Sequence, residues 1–345
     1  MIWACWRQCR TTVVVALSII GVLIGAVIVA GFANRRSAIS DEYGILTLTT
    51  LLAVLLPMLW GAFVGVTVFS RDLEQRTHVL GLSQSSGRTR WYVSRVLAVF
   101  VPISLAMTVL GLALGWARSP SVEAVIRAKS DLTGSFFPNF GMSGVRLDQP
   151  VFDTSGIVLG AHTFLALIVG STIALLLRNT IASMVVALAL LVFVPATLAN
   201  TIRPHYATPD VDRQAIAGSV WSGYSRLAGI SRGSDWIVGQ GYVDGTGAGA
   251  DIDELACPWS APFEELAQRH GETIAQYKAR TDALDEQTGR RLAACLVDLG
   301  ASAYEVRFHS NRQYWRFQAT EAALLLTLAG LLMAPALWGV RRLRP

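Results

Sequence analysis

Long apolar stretches alternate with charged ones along most of the chain. Runs at 12–33, 45–70, 93–116, 157–177, 181–200 and 319–340 each hold about the 20 residues a helix needs to cross ~30 Å of hydrocarbon. Lipid offers no partner to backbone polar groups, so such runs close their hydrogen bonds internally and are helices, the Val-rich pieces included. The first run also carries a signal-peptide reading, with small residues at Gly31 and Ala33. It is longer than the roughly 7 to 15 residues of a signal core, which favours a span.

The pattern predicts an all-α polytopic membrane protein with six transmembrane helices and a small extracytoplasmic domain inserted before the last one. Residues 1–201 carry helices 1 to 5, with a charged loop at 70–92 and a polar loop at 117–154; 202–318 form the inserted domain; 319–345 hold helix 6 and a tail. Within the polar loop, Val122, Val125 and Ile126 are spaced for one short surface helix. In the inserted domain, Phe263, Leu266, Ile274, Tyr277, Leu284, Leu292 and Leu296 recur near helical period and predict a packed amphipathic helix pair.

Composition agrees with two solvents. Hydrophobic side chains make up 52% and charged ones 15%, with a mean hydropathy of +0.45, whereas charged residues are about a quarter of a soluble domain. The net charge of +5 does not point to nucleic acid, because the Arg residues sit beside apolar runs. Arg7 and Arg10, Arg71, Arg76, Arg88, Arg90 and Arg95, Arg178, and Arg341, Arg342 and Arg344 all fall on one side of a six-helix layout. By the positive-inside rule that side is the cytoplasm, both termini are cytoplasmic, and the chain lies in the plasma membrane. The opposite loops interleave Arg35, Arg118 and Arg146 with acids such as Glu123, Asp148 and Asp153.

Catalytic signatures are missing. The chain has no G-x-x-x-x-G-K-[ST] loop to cradle phosphates, no H-E-x-x-H helix, no G-x-S-x-G elbow and no C-x-x-C pair, and its five histidines are scattered. It is therefore read as a non-enzyme without cofactor or bound metal. Ionisable groups inside a membrane are costly and mark function by default. Within the predicted helices they are His162 and, near the outer end of helix 6, Glu321. His162 suits either an interhelical hydrogen bond or the lining of a transport pathway. No file of acids crosses the membrane, so an external energy source fits better than a proton relay.

Cys257 and Cys295 fall in the inserted domain, in the oxidising compartment of this layout, and are a candidate disulfide that would contribute about 3 to 4 kcal/mol. Cys5 and Cys9 lie on the cytoplasmic side.

The loop at 70–92 is charged and helix-prone. Ser70 suits a cap, Asp72 and Glu74 suit the positive end of a helix dipole, and Gly81 suits its close. Glu74, Thr77, the apolar Val79-Leu80, Ser85-Ser86-Gly87-Arg88 and then Trp91-Tyr92 make this segment resemble the coupling loop of ABC transporter permeases of the type 2 export class. The lead-in to helix 6, with Trp315, Gln318 and Glu321, resembles that of actinobacterial members, although Gln313 stands where their pattern has Arg. The resemblance implies a permease subunit of an exporter that pairs with a second permease subunit, as homodimer or heterodimer, and with a soluble ATP-binding-cassette ATPase. Glu74, Arg76, Thr77 and Arg88 would then dock or support the ATPase. A rival reading, resting on the size of the inserted domain, is a membrane-anchored sensor or assembly protein.

Overall fold

The computed structural model describes residues 2–36, 43–74, 87–128, 145–216, 235–253, 256–257 and 263–342. The chain divides into two compact units, one of Met1–Glu123, Pro138–Tyr206 and Arg312–Pro345, the other of Ala124–Phe137 and Ala207–Asn311. Of the residues expected in the inserted domain, 202–318, Ala207–Asn311 fall in the second unit, which also takes in Ala124–Phe137.

The first unit holds six helices long and apolar enough to cross a membrane: span 1 (Cys9–Ala33), span 2 (Gly44–Arg71), span 3 (Arg88–Pro120), span 4 (Val158–Leu177), span 5 (Thr180–His205) and span 6 (Asn311–Arg341). Span 4 is 89% buried, against 22% to 50% for the others, so it is the axis of the bundle. Spans 2, 5 and 6 pack on it. Apolar side chains such as Val22, Ile181 and Phe193 face outward, as lipid requires.

Span 4 meets span 2 through small residues. A Cβ on Gly170 would lie 2.0 Å from the Gly61 carbonyl oxygen and 3.2 Å from the Gly65 Cα, so the two backbones touch. On the span 2 side the crossing falls in a π-helical segment, Trp60–Gly65, and further π segments occur at Val96–Phe100 and Leu198–Ile202. Spans 4 and 5 are joined by two residues only. Arg178 takes the left-handed conformation with φ 54° and donates its N–H to the Ala174 carbonyl, which closes span 4. Asn179 caps span 5, its side chain accepting the Ala182 N–H at 3.0 Å.

The short surface helix expected around 122–126 is instead a continuation of span 3, whose helix runs Val101–Ala128 through Pro120. Proline lacks the N–H that would bond the carbonyl four residues back. That carbonyl, of Trp116, accepts from Arg35 Nη2 at 3.1 Å and from Ser119 Oγ at 2.9 Å, so it stays partnered across the proline.

The second unit is mixed rather than a helix pair. Four antiparallel strands, β1 (Asp210–Ala215), β2 (Trp236–Val243), β3 (Gly249–Ala250) and β4 (Ala303–His309), form a sheet in the order β1-β4-β2-β3. One long helix, Ile274–Asp298, carries Leu292 and Leu296 into a core with Tyr242, Tyr304 and Val306. Of the expected partner helix, the described residues hold the short Phe263–Leu266. The long helix begins at a capping box between Thr273 and Gln276. Cys257 and Cys295 form a disulfide that ties the loop after β3 to this helix.

Just before that helix, the Glu272 carboxylate accepts Nε and Nη2 of Arg280 at 2.8 and 2.9 Å and the Arg269 N–H at 3.0 Å. The Arg280 hydrogen bonds, with the backbone bond behind them, hold its pKa down at about 2 from 4.5. A carboxyl held low stabilises the fold above its unfolded value and loses that contribution as pH falls through the folded one.

Two outcomes follow. Gly170→Ala forces the backbones of spans 2 and 4 apart and is expected to cost about 1 to 3 kcal/mol, seen as a lower unfolding midpoint of the detergent-solubilised protein. Gly330→Ala, where an added Cβ meets nothing within 4 Å, leaves the midpoint unchanged. For the second unit, Glu272→Gln removes protection from hydrogen exchange in the helix Ile274–Asp298 at neutral pH. The difference from wild type narrows between pH 4.5 and about 2.

Candidate functional site

The turn and short helix that lead into span 4 are the most heavily bonded place in the first unit. Asp153 precedes the span there, and Arg203 approaches from the end of span 5. Arg203 is 1% exposed and Glu321 of span 6 is fully buried. Arg203 Nε and Nη2 donate to the two Glu321 oxygens at 2.9 and 2.8 Å, a bidentate pair, and Nη2 also donates to Asp153. The guanidinium lies 4.1 Å over the Phe152 ring, and the Tyr206 hydroxyl donates to Glu321 at 3.2 Å.

Two further residues secure the same turn. Gln318 of span 6 donates Nε2 to the Phe152 carbonyl at 3.0 Å and accepts the Val158 N–H at 3.1 Å. It lies so close that Gly156, at φ 69°, could carry no side chain: a Cβ would stand 2.6 Å from Gln318 Oε1. Arg118 of span 3, also buried, donates to Ser155 at 2.7 Å, to Thr154 at 3.3 Å and to the Thr50 hydroxyl of span 2. Spans 3, 5 and 6 therefore all bond to the lead-in of span 4, and span 2 is joined to it through Arg118.

His162 sits one turn into span 4 and is 8% exposed, with no hydrogen-bond partner for Nε2 among the described residues. It opens on a cavity of about 50 Å³ between spans 2, 4 and 5, which Asp153 also lines. Trp315, although close in sequence to Gln318 and Glu321, is 57% exposed and lies off the buried stripe of Tyr314, Phe317, Gln318 and Glu321.

The opposite end of the bundle carries the other candidates. The Glu74 carboxylate accepts the Thr180 N–H at 3.1 Å and the Thr180 hydroxyl at 2.5 Å, at the first turn of span 5. These bonds, the hydroxyl's first, hold its pKa below the usual carboxylate value. Arg88 Nη1 donates to the Arg341 carbonyl at 2.8 Å, at the end of span 6. Beside them Phe69 stacks on Tyr92, whose hydroxyl meets Ser171 Oγ at 3.2 Å. Arg95 lies 4.5 Å over Trp91. Arg76 and Thr77 lie outside the described residues.

Asp153, Arg118 and Arg203 are additions to the residues read from the sequence. Asp153 and Arg118 fall in the loop expected at 117–154, and Arg203 in the domain expected from 202. Span 5 runs on to His205, so Arg203 belongs to it. The acid at Glu321, three residues from Gln318 on an otherwise apolar helix face, was the signal that a buried cation had to exist.

A bundle of six apolar helices, joined at one end by a buried ion cluster, is a polytopic membrane protein. A family model described as ABC-2 membrane transporter related matches residues 28–203, just over half of the chain, and the chain belongs to that family. It is a membrane component of an ABC transporter rather than its ATPase, works with an ATP-binding subunit and resides in the plasma membrane as a multi-pass protein. Comparison with curated proteins and with solved structures finds no match.

Removing the cation leaves the buried Glu321 carboxylate unpaired beside the half-buried Asp153. Arg203→Met is expected to cost about 3 to 5 kcal/mol, while Glu321→Gln, which leaves Asp153 to balance Arg203, costs less. Unfolding midpoints of the purified variants in detergent, with the double variant to give the coupling, check the order.

Proposed function

We propose that the chain is the permease subunit of an ATP-driven exporter, with residues 70–92 as the segment on which the ATPase acts. What supports this is the way both ends of that segment are held: Glu74 to the first turn of span 5 and Arg88 to the last carbonyls of span 6. A force on the segment reaches helices beyond the two it joins. In this reading Glu74 and Arg88 support the docking surface from behind, and Arg76 and Thr77 are candidates to dock the ATPase.

The same reading puts residues 70–92, both termini and the 178–179 turn in the cytoplasm, and the second unit outside. Two permease subunits, identical or not, enclose the pathway. His162, which faces the cavity between spans 2, 4 and 5, is its candidate lining residue.

The test is to purify the tagged chain in mild detergent and assay the ATPase that comes with it, for wild type, Glu74→Lys and Arg88→Glu. The expected outcome is an ATPase that co-purifies with wild type and loses about tenfold of its recovered activity in the variants, as for a disrupted charged contact. A folded, monodisperse chain that brings no ATPase would put the sensor or assembly reading first.

A further inference from the structure

The cavity beside span 4 is apolar except at one place. Its lining includes Val54, Met58, Leu165 and Val194 with Asp153 and His162, and no Lys or Arg. Both polar groups have capacity to spare. Arg203 is the hydrogen-bond partner of Asp153 among the described residues and takes Oδ1, so Oδ2 is open. His162 is more than nine-tenths buried, and its Nε2 is unpartnered. Nε2 is shielded from water, so Asp153, whose side chain is 14% exposed, is the group that a ligand in the cavity can reach.

The volume limits that occupant. About 50 Å³ is room for a few waters, at roughly 10 to 15 Å³ each, or for one small head group with its first carbons. The rim residues Val54, Met58 and Val194 are half-buried, and beside them Leu55 and Phe193 are exposed on the apolar, lipid-facing surface. A ligand entering there keeps its tail in hydrocarbon. Its head meets the Asp153 carboxylate, with the His162 ring as part of the wall.

The geometry points to a binding site for a primary alkylammonium amphiphile. The ammonium donates to Asp153 Oδ2 beside the His162 ring, and the alkyl chain leaves between spans 2 and 5. As a cargo site this rests on the export reading. As a binding site it does not, and it is tested without any ATPase present.

The experiment measures radiolabelled n-decylamine bound to the full chain in lipid nanodiscs, with empty discs as background and unlabelled n-decylamine, decan-1-ol and decanoate as competitors. The expected result is saturable binding displaced by the amine about tenfold better than by the alcohol, the size of one charge-assisted hydrogen bond, and not by decanoate. Met58→Trp, which fills the cavity from its rim, abolishes the binding, and Asp153→Asn removes the preference for amine over alcohol. Should Asp153→Asn fail to fold, Met58→Trp and the competitor series decide alone. Equal displacement by amine and alcohol, no saturable binding above empty discs, or full binding by Met58→Trp with its helical content intact would each overturn the proposal. Loss of the ATPase partner leaves all of these readings unchanged.

Discussion

The buried ion cluster of Arg203, Glu321 and Asp153 is the constraint around which the first unit is arranged. In hydrocarbon an unpaired charge is prohibitively unfavourable, so each member requires the others, and they come from different parts of the chain. Span 6 is separated from span 5 in sequence by the stretch Ala207–Asn311 of the second unit, and this cluster brings the two helices to the same turn. The apolar faces of the spans pack or face lipid with little preference for depth or rotation. The ionic and amide bonds to 152–158 supply that preference.

The helical part of the architecture was readable because lipid imposes a simple rule on length and composition. Six apolar runs became six spans, with ends that moved by a few residues. What could not be read is where polar residues stop being loop and become buried partners. Arg203 sits three residues past Asn200, where apolar composition ends, yet the helix continues through a π turn and a short 3-10 turn to His205. Arg118 looked like part of a polar loop for the same reason. Hydropathy averages over a window, and a cation neutralised by a distant acid does not register in that average.

The second unit resisted for a different reason. Its strands carry Gly239 and Gly241 in β2 and show little alternation in burial: five of the six β1 residues are exposed. Without a period of two there was no strand signal, whereas the helix Ile274–Asp298 announced itself by period and by the Thr273-x-x-Gln276 box. Among the candidate residues, Gln318 and Glu321 are buried and bond to the lead-in of span 4 and to Arg203. Trp315 is on the other side of the helix, because a motif read as a string does not specify which residues share a face.

The π segment at Leu198–Ile202 places one extra residue in the turn just before Arg203. On an α-helix one residue corresponds to about 100° of rotation, so the segment acts as a phase setter: it aims the guanidinium at span 6. If that turn relaxed to α geometry, Arg203 would point elsewhere while the axis of span 5 stayed where it was. The link between spans 5 and 6 therefore has two separable controls, the position of the helices and the winding of a single turn, and the second can release the first without any helix having to travel.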